Sequence, residues 1–217
     1  MLAVDARGRI VDPGPHFHVL RTDDQVVCRS HARLPDAAAA ALEAIAHRPR
    51  GRQRDWPRDY GDYLRVLVEV APLRAARAGL LYAALGRAGP EPAGGDEAIT
   101  VTEDNANLLH GGLDEWRPDV AAGLPMCVAV ADGRAVAICA SVQASARAHD
   151  AGVETLPAYR GRGLASKAVA AWARLVRAHG AVPLYGTTFD KLGSQGVARR
   201  LGLTLIGSEF SVALDFG

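Results

Sequence analysis

Cysteine is scarce in this chain: 217 residues hold three, at positions 28, 127 and 139, with none in a C-x-x-C pair. That leaves no disulfide framework to expect. Cys127 and Cys139 fall inside apolar runs, so the thiols are expected to be reduced and buried, as in a cytoplasmic protein. An excess of either charge is also missing. Lys and Arg number 25 against 24 Asp and Glu, a formal net charge of +1. Such a balance supplies no overall field for nucleic acid, an anionic membrane or a polycationic acceptor. No uncharged apolar run approaches membrane-spanning length, and the opening Met1-Leu2-Ala3-Val4-Asp5-Ala6-Arg7 has no signal-peptide core. No repeat is found, and the alanine run at 37–41 is the only low-complexity stretch. A hydrophobic fraction of 49% with 23% charged residues is an ordinary globular balance.

What stands out is Leu156-Pro157-Ala158-Tyr159-Arg160-Gly161-Arg162-Gly163-Leu164-Ala165-Ser166. The residues before it, Gly152-Val153-Glu154-Thr155-Leu156, read as a strand that Pro157 stops, since proline has no N–H for the ladder. After it, Leu164, Ala168, Trp172, Leu175 and Val176 recur on one face at helical spacing, and Gly180 is placed to cap the end. A strand, a glycine turn and a helix thus follow one another. That order aims several free backbone N–H groups and the positive end of the helix at one point. Arg160 and Arg162 add full charges there, which suits a phosphate or pyrophosphate.

Spacing selects among the known glycine turns. A P-loop ends in Gly-Lys-Ser/Thr, whereas Gly163 is followed by Leu164, and Lys167 comes too late. A dinucleotide fingerprint wants an acidic residue roughly 20 positions on, and the stretch 172–186 has no Asp or Glu. The third pattern, Arg-x-x-Gly-x-Gly/Ala, is present as Arg160-Gly161-Arg162-Gly163-Leu164-Ala165. At these residues the chain resembles the GNAT superfamily of N-acetyltransferases, which cradle the acetyl-CoA pyrophosphate on this turn. A second stretch, Thr187-Thr188-Phe189-Asp190-Lys191-Leu192-Gly193-Ser194-Gln195-Gly196-Val197-Ala198-Arg199-Arg200-Leu201-Gly202-Leu203, looks like the family's strand followed by a helix ending in Gly-Leu. The resemblance covers roughly the last 120 residues, a length suited to one compact domain. It implies an α/β, mixed and mostly antiparallel central sheet flanked by helices, over 96–217. Residues 1–95 would then form a smaller α+β region that covers or shapes the acceptor groove.

In chain order, 16–20 and 25–28 read as two short strands, and a helix runs from Pro35 or Asp36 to about Ala46. Asp59 opens a second helix that Pro72 interrupts, the segment 80–85 is left unassigned, and 89–96 is a linker rich in Gly and Pro. Next comes a strand at 98–101, a helix capped by Thr102, and a short one around Val120. Strands at 126–130 and 135–142 are joined by the hairpin turn Asp132-Gly133. The helix from Leu164, a strand at 182–188, a helix from Asp190 and a last strand at 204–214 complete the pattern. A strand–helix–strand crossover makes its strands parallel. Their ends, Thr155 and Leu156 on one and Thr187 and Thr188 on the other, therefore lie on the same side as the turn. The resemblance implies that these strands splay to admit a pantetheine arm.

Acetyl transfer to an amine needs a base, since a primary amine is protonated at neutral pH. Glu154, on the central strand beside the implied thioester, is the leading candidate. It shares a strand face with Asp150 and Gly152, while His149 lies on the other unless the strand bulges. Backbone N–H groups of 153–156 are candidates for the oxyanion. The cofactor contacts implied by the resemblance are Thr155, Leu156, Arg160, Gly161, Arg162, Gly163, Leu164, Ala165, Ser166, Thr187 and Lys191. Many family members carry a tyrosine acid where this chain has Ala198. Ser194 is the substitute group for the departing sulfur, and Tyr185 a more distant one.

Two other constellations point to different chemistry. His16-x-His18 with His31 has a spacing some zinc sites use, but no carboxylate or cysteine completes it, so no metal is expected. Arg48, Arg50, Arg52, Arg54 and Arg58, interleaved with Trp56 and Tyr60, resemble a nucleic-acid patch. Asp55, Asp59 and Asp62 interrupt it, so no nucleic acid is expected either. The expectation is an acetyl-CoA-dependent N-acetyltransferase acting on a small-molecule or protein amine. A catalytically silent acyl-CoA-binding or regulatory module is the alternative that Ala198 keeps open.

Overall fold

The computed structural model describes residues 3–48, 59–85 and 98–217. They fall into two compact units, Met1–Leu81 with Ile206–Gly217, and Tyr82–Leu205. The linker expected at 89–96, and Arg50, Arg52, Arg54, Trp56 and Arg58 of the basic stretch, lie outside the described residues.

In the first unit the hairpin is formed by β1 (Phe17–Thr22) and β2 (Val26–Ser30). Adding β3 (Leu73–Ala83) and β9 (Thr204–Leu214), each of which begins in one unit and ends in the other, gives the order β2-β1-β9-β3. Helices α1 (Asp36–Ala46) and α2 (Tyr60–Val68) supply Leu42, Ile45, Tyr63 and Leu67 to a core with Phe17, Val19, Phe210 and Val212. Alternate residues of β1 point inward, as a half-buried strand requires.

The second unit is built on β4 (Ile99–Thr100), β5 (Met126–Ala131), β6 (Arg134–Ala144), β7 (Ala148–Thr155) and β8 (Val182–Thr188). Their order is β8-β7-β6-β5-β4. All neighbours are antiparallel except β7 and β8. The mixed, mostly antiparallel sheet flanked by helices is therefore the one the sequence implied. The β5–β6 hairpin turns on Asp132 (φ 52°) and Gly133 (φ 76°), the two positive values a tight primed turn demands.

Each face of this sheet is closed by a different segment. Helix α4 (Leu164–Ala178) buries Ala168, Trp172 and Val176. Its Trp172 Nε1 donates to Ser141 Oγ at 2.9 Å, and the Ser141 hydroxyl lies 2.9 Å from His149 Nδ1. Burial lowers the pKa of His149, so it stays neutral within this chain of bonds. Trp172→Phe keeps the ring but leaves Ser141 with an open lone pair. It is expected to reduce unfolding free energy by about 1–2 kcal/mol, read as a lower urea midpoint; an unshifted midpoint would show the bond to be dispensable. On the opposite face, 3-10 turns at Glu103–Leu109 and Asp114–Trp116 and the short α3 (Arg117–Val120) bring Leu109 and Leu113 onto Met126, Val128, Ile138 and Ala140.

Three expectations change. Residues 80–83 of the unassigned segment are the buried end of β3, which shows no alternation. The helix after Thr102 is 3-10, with Asn105 Oδ1 accepting the Thr102 N–H at 2.8 Å. The last helix, α5 (Leu192–Arg200), starts two residues after Asp190 and takes Lys191 as its cap position.

Candidate active site

The crossover from β7 through α4 to β8 builds the site. The two strands are parallel, yet they pair only at Ala148↔Val182, His149↔Pro183 and Asp150↔Leu184. Beyond those pairs the register ends while both strands continue, to Thr155 and to Thr188. A gap thus opens in the sheet toward the carboxyl ends, where open α/β sheets bind ligands.

Residues 156–166 close the end of the gap. Pro157–Tyr159 makes one 3-10 turn, and Gly161 (φ 77°) and Gly163 (φ 79°) take left-handed conformations that bring the chain into α4. Among the described residues, the amides of Gly161, Arg162, Gly163, Leu164, Ala165 and Ser166 have no acceptor within the chain. No side chain fills the space beside either glycine, since a Cβ built on Gly161 or Gly163 meets nothing within 4 Å. Free amides at a helix N-terminus, in open space, are an anion-binding arrangement.

Side chains hold this turn in shape. Arg160 Nε donates to the Thr155 carbonyl at 3.1 Å, tying the turn to the end of β7. The Arg162 guanidinium lies 5.2 Å from the centre of the Tyr159 ring, and the Tyr159 hydroxyl donates to Asp132 at 2.6 Å. Ser166 is buried, and its Oγ accepts from Arg200 Nη1 at 3.1 Å. That contact draws a third guanidinium, from the end of α5, to the start of α4. Spacing in the sequence did not single out Arg200. Leu164 and Ala165 open the helix half-buried.

The strand ends sort by face. Thr155, Thr187 and Tyr185 belong to the parity of His149↔Pro183, and Glu154 to that of Asp150↔Leu184. Thr187 is buried, and Lys191 is exposed at the start of α5. Glu154 is exposed, and its Oε2 accepts from Trp116 Nε1 at 2.7 Å. The bulge that was to decide between Glu154 and His149 lies in β6, between Ser141 and Gln143. The parity of β7 is thereby kept: His149 is 8% exposed, its Nδ1 engaged by Ser141, on the face opposite Glu154.

One expected oxyanion donor is committed elsewhere. The Leu156 N–H donates to the Val136 carbonyl at 2.9 Å. Because alternate amides of a strand point to opposite edges, those of Val153 and Thr155 are directed to the β8 side, beyond the last β7–β8 pair. Leu156 itself is half-buried under the loop before Trp116, its side chain set against Gly112. In that loop Asp114 accepts from the Gly112 and Gly111 amides and contacts His110 Nδ1 at 2.9 Å. The Gly112 amide foremost, with the His110 and Gly111 contacts, holds the Asp114 carboxyl below its ordinary range.

On α5, Ser194 Oγ lies 2.6 Å from the Tyr185 hydroxyl. Burial pushes the Tyr185 phenol up to about 12, which keeps its proton in place at neutral pH. Ala198 is fully buried.

The histidines of the amino-terminal segment are engaged otherwise. His16 Nδ1 accepts the Leu214 N–H at 3.0 Å, and His31 Nδ1 accepts that of Arg33 at 3.1 Å. Among the described residues, no three His, Cys, Asp or Glu side chains are grouped to hold a metal ion. Nor is any helix among them long and apolar enough to cross a membrane. Arg48 is paired with Asp62.

Comparison with known proteins bears on the family and the fold. Residues 121–208 match the family model described as GNAT acetyltransferase. No curated protein matches the chain. Among solved structures, it is similar to a GCN5-related N-acetyltransferase-like protein from Streptococcus suis, at 15% identity and a TM-score of 0.53 over 97% of this chain and 87% of that one. It is also similar to an acetyltransferase from the GNAT family from Colwellia psychrerythraea, at 11% identity and a TM-score of 0.52, covering 99% and 80% respectively. A GCN5-related N-acetyltransferase from Kribbella flavida shares 23% identity at a TM-score of 0.52 over 71% of this chain and 64% of that chain. Identities this low establish likeness of fold alone. With the family match falling on the β5–β8 sheet, its hairpin, the glycine turn and α5, the carboxy-terminal part of this chain matches the GNAT acetyltransferase family.

Proposed function

We propose that the protein is an N-acetyltransferase that moves the acetyl group of acetyl-CoA directly to a primary amine while both are bound. The observation that carries this reading is the run of unbonded amides at 161–166, standing at the end of a sheet gap. A diphosphate would accept hydrogen bonds from that run, with Arg160, Arg162 and Arg200 supplying positive charge. An extended chain could pair there, because β7 and β8 are not paired with each other beyond Asp150 and Leu184.

The chemistry then follows from the residues beside the gap. The amine nitrogen attacks the thioester carbonyl carbon, forming the C–N bond. Negative charge collects on the carbonyl oxygen, and the Val153 and Thr155 amides are the donors directed toward that region. Glu154, through Oε1 or a water it holds, takes the proton from the amine; Oε2 is already occupied by Trp116. The C–S bond breaks and the sulfur leaves with the electron pair. A thiol of ordinary acidity tolerates departure as thiolate, and Ser194, its hydroxyl held by Tyr185, is the group assigned to serve it.

Two results test this. The protein should be thermally stabilised by CoA and not by ATP or NAD, and acetyl-CoA consumption should depend on an added amine. Ser194→Ala should lower turnover only about two- to tenfold; complete loss of turnover with CoA binding intact would make Ser194 an obligatory acid instead. Ala198, which has no proton to give, leaves a second reading, a module that binds an acyl-CoA without turning it over. Binding without acetylation of any amine in a broad panel would select it.

A further inference from the structure

Glu154 does not stand alone on its strand face. Trp116 donates to it, and the same indole lies over Gly152, where a Cβ would come within 2.8 Å of Trp116 Cη2 and 2.2 Å of Val142 Cγ1. Gly152 is bare because two apolar side chains occupy its Cβ position. Val142 is the extra residue of the β6 bulge and is 51% exposed. Trp116 is partly buried, packed on the cluster of Leu109, Leu113 and Ile138, and the remainder of the ring is open. The result is an apolar surface that ends at a carboxylate with one oxygen still free.

The other carboxylate of this face, Asp150, is half-buried near the Ala151 and Gly186 amides, and its Oδ1 is closed off from solvent with no hydrogen-bond partner. Beside Glu154, therefore, the neighbouring surface offers an ammonium an aromatic ring and a branched alkyl group.

We infer that the amine acceptor is a monocationic primary amine bearing an aryl or branched alkyl group, seated on Trp116 and Val142 with its nitrogen at Glu154. The inference rests on the acetyltransferase reading. The apolar body loses water against the indole and the Val142 methyls, and the ammonium faces the ring edge and the carboxylate. A polyamine lying along the indole and Val142 would set its second charge against apolar surface, which costs solvation.

The test compares acetylation of 2-phenylethylamine, ethylamine and spermidine by the wild type, Trp116→Leu and Val142→Ser, with acetyl-CoA affinity measured for each protein. The wild type should favour 2-phenylethylamine over ethylamine by roughly tenfold to a hundredfold in kcat/KM. In both variants that ratio should fall about tenfold, chiefly through KM for the aryl amine. Using the ratio removes any loss common to both amines from a displaced Glu154. Val142 is exposed, so Val142→Ser keeps the test open if Trp116→Leu fails to fold. Wild-type preference for spermidine, or a ratio near one, or a ratio unchanged in the variants, would overturn the acceptor assignment while leaving acetyl transfer standing. Acetyl-CoA binding with no amine acetylated would sink both, and no binding at all would remove the site itself.

Discussion

Gly163→Trp is expected to weaken acetyl-CoA binding at least about 100-fold, which corresponds to a loss of about 2.7 kcal/mol. The protein should still fold. A Cβ at this position meets no atom within 4 Å, so the indole would project into the space over the free amides of the turn. The left-handed φ of 79° adds strain for any side chain, on the order of 1–2 kcal/mol. Gly180 supplies the control. It has the same φ of 79° and the same empty surroundings, at the far end of α4. Gly180→Trp should therefore show a comparable drop in melting temperature with CoA affinity unaltered. Equal affinity in the two variants would mean that the diphosphate is held elsewhere.

Glu154→Gln should lower kcat by about 10²–10⁴-fold at neutral pH, with acetyl-CoA affinity within a factor of two or so of wild type. The amide is close in size to the carboxylate, and its carbonyl oxygen can still accept from Trp116 Nε1. What is lost is proton acceptance. The deficit should shrink as pH rises toward the amine's own pKa, because a growing fraction of acceptor arrives already neutral. A deficit independent of pH would point to a purely positioning role. An unchanged kcat would move the base elsewhere, and the His110–Asp114 pair in the loop over Leu156 would be next to examine.

The parts of this site that were legible in the sequence are those carried by local backbone chemistry. Pro157 ends the strand, the two glycines make the turn, and Gly180 ends α4 with a positive φ, each for reasons contained within a few residues. The parallel crossover followed from segment lengths. Strand parity also separated Glu154 from His149 correctly, because the bulge fell on β6 and not on β7. The long-range partners had no local signature. Trp116 reaches Glu154 across 38 positions, and Arg200 reaches Ser166 across 34. Nothing in the spacing of either residue announces its partner. Residues 80–83 escaped assignment because a strand end buried on both faces shows no alternation. The Leu156 amide could not be excluded as a donor until its partner Val136 was seen on the adjacent strand.

The early end of the β7–β8 ladder has a consequence for the empty protein. Half-way along, two neighbouring strands stop satisfying one another, so main-chain groups that an ordinary interior strand would hide face water instead. Deuterium should enter the Val153 and Thr155 amides far faster than that of Leu156, which is locked to Val136. An elongated guest entering the slot would act as the absent strand, and its arrival should slow exchange at those two positions first.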